Sequence, residues 1–280
     1  QSVRDNVGNR LDLQFEDIGD QQLKNIEFPV RVYNVVFGES QARLNGAGRP
    51  EAEPVNGERP SIAVLPFNNM SGDPEQEYFS DGIAEDIITD LSKISSLFVV
   101  GRNTSFTYKG MSPQLQKVAR VLGVKFLMEG SVRKAGARVR VTAQLIDGSS
   151  GGHLWADRYD RELTDIFAIQ DEITKAIVDQ LRVRIVPDEM KAIGQAPTDN
   201  VEAYTYYLRG RQYFHNSTKW FLGLSRQMFS RAIELDPTYA RAYAGLAMAE
   251  TRLASWFGEP ISHAEILANA GRALTLAPEL

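Results

Sequence analysis

A stretch of low apolar content divides the chain and limits how it can fold. Residues 39–60 hold three glycines and three prolines and almost no large apolar side chain. Such a segment buries too little apolar surface to offset the conformational entropy that ordering costs. We therefore expect a flexible linker over residues 39–60, with separately folded regions on either side of it.

Length and composition indicate a globular protein of about two domains. The 280 residues exceed the ~150 residues that a single domain usually has. Hydrophobic residues make up 43% of the chain, which argues against wholesale disorder, and the net charge of −5 argues against a dedicated nucleic-acid binder. No apolar run reaches the ~18 residues of a membrane span and no signal peptide is visible. We expect no nucleic-acid partner, no membrane segment and a cytoplasmic location.

Residues 61–187 alternate between strand and helix patterns. Ile62 to Phe67 form an almost continuous apolar run, which is typical of a strand buried on both faces. Apolar residues then recur at helical spacing from Tyr78 to Ile94. Further elements are expected as a strand at 96–101, a helix at 114–122, a hairpin of strands at 125–134 and 138–146, an extended piece at 154–159 and a helix at 163–181. The pattern predicts an α/β domain with a mixed sheet.

Two local signals set the expected limits of the helix at 114–122. Ser112 followed by Pro113 is a capping residue before a proline in the first turn. Gly123 is a typical stop, because glycine adopts the left-handed backbone that ends many helices.

The last third of the chain is helical in pattern and contains an internal repeat. RAIELDP at 231–237 returns as RALTLAP at 272–278, a step of 41 residues. Both copies resemble the tetratricopeptide repeat, whose period is about 34 residues, with the excess expected around 256–262. The resemblance implies all-α tetratricopeptide-like repeats over 198–280. Because such arrays normally need about three units, we expect the array to continue past residue 280.

A second family signature lies before the linker. Residues 15–36 read FEDIGDQQLKNIEFPVRVYNVV. They resemble the closing hairpin of a class III nucleotide cyclase domain through Gly19, Leu23, Lys24, Pro29, Val30, Val32, Tyr33 and Val35. Asn25 departs from the glycine that many members have in this turn.

The cyclase resemblance implies that residues 1–38 are a C-terminal remnant of an α/β cyclase domain. In that family the catalytic and metal-binding residues lie upstream of this hairpin. The parent is then an adenylate or guanylate cyclase that pairs as a homodimer and uses Mg²⁺ or Mn²⁺. We expect the present chain to be inactive alone and to hold no cofactor or metal.

Two central segments carry a third signature. They read SIAVLPFNNMSGDPEQEYFSDGIAEDIITDLSKI and VARVLGVKFLMEGSVRKAGARVRVTAQLIDGSSGGHLWADRYDRELTDIFAIQDEI. Together they resemble the family related to the amino-terminal domain of the TolB translocation protein, over about 120 residues. The resemblance implies an architecture for residues 61–187 and defines no ligand.

Several polar groups have both a chemical and a structural interpretation. Four acids lie on the first helix of the central domain, at Asp81, Glu85, Asp86 and Asp90. They could bind a divalent ion or transfer protons, but a solvated helix face is the simpler interpretation. The three histidines share no metal-binding spacing, and a structural role is expected for them: His153, His215 and His263.

Two further polar segments are interpreted as solvent-exposed. Residues 101–105 are expected to form a connecting loop, since the glycine–lysine step of a phosphate-binding loop is missing. Basic residues also follow the hairpin and could hold an acidic partner, but we expect them to form the solvent-exposed face of the sheet. These residues, which form a basic stripe, are Arg133, Lys134, Arg138 and Arg140.

Aromatic side chains crowd the first helical repeat. Most should pack between helices, yet a groove lined by tyrosine and arginine is also how repeat arrays hold peptides. We therefore expect a protein or peptide partner on the repeats. The candidate partner-binding residues are Tyr204, Tyr207, Arg211, Tyr213 and Trp220.

Three functions fit these patterns. The first is the regulatory and interaction region of a bacterial cyclase-type protein in cyclic-nucleotide signalling. The second is a stand-alone repeat scaffold whose cyclase hairpin is a vestige. The third is an envelope-facing assembly module, as the TolB resemblance suggests.

Overall fold

The structure, a computed structural model, describes residues 13–21, 30–37, 59–193 and 195–278. The chain forms two compact units, Gln1–Glu58 and Arg59–Leu280. The domain limits expected at 61–187 and 198–280 stay predictions, because both regions belong to the second unit. Most of the expected linker, residues 39–58, lies outside the described residues.

In the first unit, two strands form an antiparallel hairpin. β1 spans Leu13–Gln21 and β2 spans Val30–Phe37. The register shifts between Asp17 and Gly19, so that β1 carries one residue more than the strand it faces. The predicted hairpin is confirmed in these strands, whereas the turn residues that carried part of the resemblance lie outside the described residues: Leu23, Lys24, Asn25 and Pro29.

The second unit begins with a mixed sheet, as predicted. Its strands are β3 Ser61–Val64, β4 Asn68–Asn69, β5 Phe98–Val99, β6 Phe126–Ala135, β7 Arg138–Asp147 and β8 His153–Glu162. They lie in the order β5-β3-β6-β7-β8, and β4 pairs with β6. β3 runs parallel to β5 and β6, whereas β6, β7 and β8 are antiparallel.

Helices pack on both faces of this sheet and then follow one another to the C-terminal end of the described chain. They are α1 Glu77–Ser92, α2 Arg102–Ser105, α3 Leu115–Leu122, α4 Ile166–Leu181, α5 Pro187–Ala192, α6 Val201–Asn216, α7 Lys219–Leu235, α8 Ala240–Phe257 and α9 His263–Leu276. The helical pattern predicted for the last third is confirmed. α7 and α9 end at residues 41 positions apart and with nearly the same backbone angles at the next residue, as the sequence repeat requires.

The apolar core has two layers, one on each face of the sheet. α1 and α4 cover one face, and α3 covers the other. Ile62 and Val64 of β3 therefore enter the first layer, while Ala63 and Leu65 enter the second. This arrangement explains why the run from Ile62 is continuously apolar and confirms that β3 is buried on both faces.

Two local predictions differ from the structure. α3 begins at Leu115 with Gln114 as its N-cap, so Ser112 lies too early in the chain to cap it. Residues 102–105 form the short helix α2 rather than a loop, and Arg102 at its start pairs with Glu85 of α1. The stop at Gly123 is confirmed, with a left-handed φ of +66°.

Three residues of the basic stripe on the hairpin lie in solvent, as predicted, whereas Lys134 is half-buried with its ammonium group 5.2 Å from the centre of the Phe79 ring. Arg138 and Arg140 are exposed and both pair with Asp160 of β8, at 2.9 Å and 2.5 Å. Their hydrogen bonds lower the pKa of Asp160 to about 2. The stripe is therefore partly neutralised by the neighbouring strand.

Candidate functional site

The acidic residues of α1 lie where the C-terminal helices pack against the sheet region. α6 approaches α1 closely at Gly82, where an added Cβ atom would lie 2.5 Å from Leu208 Cδ2. Glycine leaves the room that this approach needs. The approach covers Glu85 and Asp86, whose exposed fractions are 3% and 4%.

The expected solvated face is therefore wrong for Glu85 and Asp86. Every residue from 82 to 88 is buried, so α1 is covered on all sides at this level. Tertiary packing buries these two acids, because α6 and α8 cover the face of α1 that the sheet region alone would leave in water. Asp81 and Asp90 lie nearer the edge, and each pairs with a lysine.

Glu85 is held by two arginines. Its carboxylate contacts Arg102 of α2 through Nε and Arg211 of α6 through Nη2. The Nε2 atom of His215 lies 3.6 Å from the same carboxylate. Burial, followed by Arg102, Arg211 and Arg252, lowers the pKa of His215 to about 4. His215 is therefore neutral near pH 7.

Asp86 joins four helices through one carboxylate. Arg211 of α6 and Arg241 of α8 approach its Oδ1 atom at 3.3 Å and 3.4 Å. Tyr204 of α6 donates its hydroxyl to Oδ2 at 2.5 Å, and Gln170 of α4 donates to the same atom at 3.3 Å. We call these five residues the Asp86 junction.

Burial makes the Asp86 junction sensitive to the loss of any partner. Desolvation raises the pKa of Asp86, and the Arg241 guanidinium opposes that rise. Removing one partner of a buried ion pair typically costs ~3–5 kcal/mol, because the remaining charge stays buried and unpaired. A movement of α6 or α8 would thus change the environment of α1 directly.

A cavity of about 380 Å³ lies beside the Asp86 junction. We call it the junction cavity. It is lined by Glu85, Ile88, Thr89, Arg102, Tyr207, Arg211, Phe214, His215, Phe229, Arg241, Ala244, Gly245 and Met248. The lining combines arginine side chains with an apolar wall, the usual composition of a site for a small ligand with one polar end.

A second, larger cavity of about 620 Å³ lies between the segment after β3 and residues 108–113. Its charged groups are Glu77, Lys109 and Glu129. Lys109 already pairs with Asp81 and with Glu77, the latter at 3.2 Å. The junction cavity is the better candidate, because it gathers three arginines and touches two of the residues predicted to bind a partner.

The five predicted partner-binding residues occupy different environments. Tyr204 is fully buried, Tyr207 is buried against Phe229 and Tyr239, and Arg211 lies in the Asp86 junction. A partner cannot reach Tyr204 from the surface. Tyr213 stacks on Phe221 at 5.8 Å, and Trp220 is 73% exposed.

Sequence reasoning missed the other members of the site. Arg102, Arg241 and Gln170 lie far apart in the chain and share no motif. No local signal separates Glu85 and Asp86 from solvated acids, because the adjacent Ile87 and Ile88 both fit the apolar stripe of an ordinary amphipathic helix.

Within residues 13–21, 30–37, 59–193 and 195–278, no group of three or more His, Asp or Glu side chains is placed to hold a metal ion. The arginines around Glu85 and Asp86 occupy the positions that a cation would need. None of the helices in the same part of the chain combines the length and apolar character needed to span a bilayer.

The chain is similar in sequence to a curated protein with a cyclase name. The chain is 48% identical over 246 residues to a protein named "Putative adenylate cyclase 3" from Rhizobium meliloti (strain 1021). The match takes in 88% of this chain and 42% of the relative, so the chain spans less than half of that protein. No family model matches the sequence. The chain is thus related to a protein with a cyclase name.

Solved structures resemble part of the chain. TolB from Acinetobacter baumannii matches 44% of this chain and 28% of its own length, with 19% identity and a TM-score of 0.32. The LpoB C-terminal domain from Escherichia coli matches 44% of this chain and 93% of its own, with 16% identity and a TM-score of 0.30. Likeness at this level carries no argument about function.

Proposed function

We propose that the chain is the regulatory and protein-interaction region of a cyclase-type signalling protein that forms cyclic AMP from ATP. The observation that carries this proposal is the 48% identity over 246 residues with the protein named as an adenylate cyclase. The catalytic domain of the parent precedes the hairpin of β1 and β2, pairs as a homodimer and uses Mg²⁺ or Mn²⁺. The absence of cysteine suits the reducing cytoplasm, where ATP is available.

The Asp86 junction supplies the physical means of regulation. A protein or peptide partner on the tetratricopeptide-like helices would shift α6 or α8 and so change the contacts that Tyr204, Arg211 and Arg241 make with Asp86. A buried charge pair is either formed or broken. An element with two such discrete states can transmit a conformational change from one part of a protein to another. Trp220 offers an exposed aromatic anchor for the partner.

The test measures cyclic AMP formation from ATP by the full-length parent protein and by the purified chain 1–280. We expect turnover by the parent and none by the chain. In the parent, Arg241→Gln should change the rate of cyclic AMP formation, whereas Arg140→Gln, which removes an exposed arginine from β7, should not. Turnover by the chain alone, or equal rates in the parent and its Arg241→Gln variant, would overturn the proposal.

A further inference from the structure

The junction cavity carries an excess of positive charge. Three guanidinium groups line it, from Arg102, Arg211 and Arg241, and they face two carboxylates, Glu85 and Asp86. His215 is neutral near pH 7 and adds no charge. Asp81 and Asp90, which also act on these arginines, each have their own lysine partner. Within the described residues, the three arginines therefore exceed by one the carboxylates that they contact.

The guanidinium groups also keep donor capacity. Each arginine has five N–H bonds. Arg241 makes one contact with a carboxylate oxygen, at 3.4 Å, and Arg102 contacts Glu85 through Nε alone. N–H donors of Arg102 and Arg241 beyond these contacts remain to bind an anion in the cavity.

The remaining wall of the junction cavity is apolar. It is formed by Ile88, Phe214, Phe229 and Met248. On the α8 side, Ala244 and Gly245 have small side chains and leave space for the cavity. A Cβ atom at Gly245 would lie 2.6 Å from the Phe229 ring, so glycine is needed for α8 to pass this ring. The volume of about 380 Å³ lies within the range of small-molecule sites, roughly 300–1,000 Å³.

We propose that the junction cavity binds a singly charged organic anion with an apolar or aromatic body. The charged end lies against Arg102 and Arg241, and the body lies against Phe214, Phe229 and Met248. One negative charge balances the excess, and the arginine fork suits both a carboxylate and a phosphodiester. This ligand joins α2, α6 and α8, so its binding would stabilise the Asp86 junction.

The inference goes beyond the proposed function and rests on the cavity alone. It holds whether or not the parent makes cyclic AMP. Burial lowers the pKa of His215 to about 4, and the cavity arginines Arg102 and Arg211, together with Arg252, add to that effect.

The test titrates the purified chain 1–280 at pH 7 by calorimetry with two monoanions. 4-Phenylbutyrate carries a carboxylate, and cyclic AMP carries a phosphodiester and an aromatic base, so the two arms separate the two sources of charge. We expect one-to-one binding of at least one of them. The neutral amide 4-phenylbutyramide should bind at least about tenfold more weakly than 4-phenylbutyrate if the carboxylate arm is positive.

Two variants locate the binding site. Arg102→Gln removes a cavity arginine, and Met248→Glu adds a negative charge at a side chain that is 52% exposed, where folding tolerates the change. Each should weaken binding by about tenfold or more. Arg140→Gln is the control, since it removes the same charge from β7, and it should change the affinity for the anion less than about twofold.

The three histidines give a second readout by NMR titration. Bound anion should raise the pKa of His215 from about 4 towards its ordinary value, while the signals of His153 and His263, which lie outside the cavity, serve as references. Binding of neither anion, or binding that both Arg102→Gln and Met248→Glu leave unchanged, would overturn the proposal.

Discussion

Tyr204 of α6 donates its hydroxyl to Asp86 of α1 at 2.5 Å, across 118 positions of sequence, and both side chains are buried. This bond ties the C-terminal helices to the sheet region. Gln170 of α4 donates to both groups, at 3.3 Å to Asp86 and 3.0 Å to Tyr204. The two regions therefore share a polar centre as well as an apolar interface.

Tyr204→Phe should lower the free energy of unfolding by about 1–3 kcal/mol, because Asp86 loses a buried donor. Tyr239→Phe is the matched control, since the Tyr239 hydroxyl is buried and has no hydrogen-bond partner in the described part of the chain. It should be neutral or stabilising. Urea denaturation measures both, and equal losses would contradict the role given to the Tyr204 hydroxyl.

Gly82→Ala should be destabilising relative to Gly223→Ala. Both glycines lie in helices, where alanine is intrinsically favoured by about 1 kcal/mol. A Cβ atom at Gly82 overlaps Leu208, whereas nothing lies within 4 Å of one at Gly223. We expect a difference of about 1–3 kcal/mol between the variants in thermal or urea unfolding. Equal effects would mean that α1 and α6 are not closely packed at this point.

His215 should make stability depend on pH between about 6.5 and about 4. Its pKa is lowered on folding to about 4, so between these values the unfolded chain binds the proton and the folded chain does not. The contribution of neutral His215 to the free energy of unfolding is therefore fully present above pH 6.5 and is lost as the pH falls to about 4. The difference in unfolding free energy between wild type and His215→Gln isolates this effect, because Asp81 and Asp86 are common to both. A difference that stays constant with pH would contradict it.

Asp147 should stabilise the turn between β7 and β8. Its carboxylate accepts hydrogen bonds from the backbone and hydroxyl groups of Ser149 and Ser150, which lower its pKa to about 2. Asp147→Ala should cost about 1 kcal/mol at pH 7. Because the folded pKa is depressed, the loss should fade as the pH drops from about 3.8 to about 2. Unfolding curves of wild type and Asp147→Ala at pH 7 and pH 2 measure this loss. An equal loss of unfolding free energy at both pH values would contradict the role given to the Asp147 carboxylate.

The sheet was predictable from the sequence because its signals are local. Ile62 to Phe67, the alternation on β6 and β7 and the stop at Gly123 each reflect short-range periodicity or backbone geometry. The ends of α7 and α9 followed from the 41-residue repeat. The class of repeat remains a proposal.

The site was not predictable in the same way. Asp86 on its own helix looks like a surface acid, and only the packing of α6 and α8 makes it a buried centre. Its partners are 84 to 155 positions away, a separation at which no periodic pattern is informative. The sequence predicts a partner groove that includes Tyr204, Tyr207 and Arg211, but the structure places the first two in the core and Arg211 against Asp86.

Amide hydrogen exchange of the Arg241→Gln variant shows whether the Asp86 junction couples the C-terminal helices to the sheet region. Arg226→Gln is the control, since it also removes an arginine paired with a buried acid, Glu250, but one whose contacts lie among α7, α8 and α9. We predict that Arg241→Gln speeds exchange in α1 and α4 as well as in α8, while Arg226→Gln affects only α7, α8 and α9. Faster exchange confined to α8 in the Arg241→Gln variant would contradict this coupling.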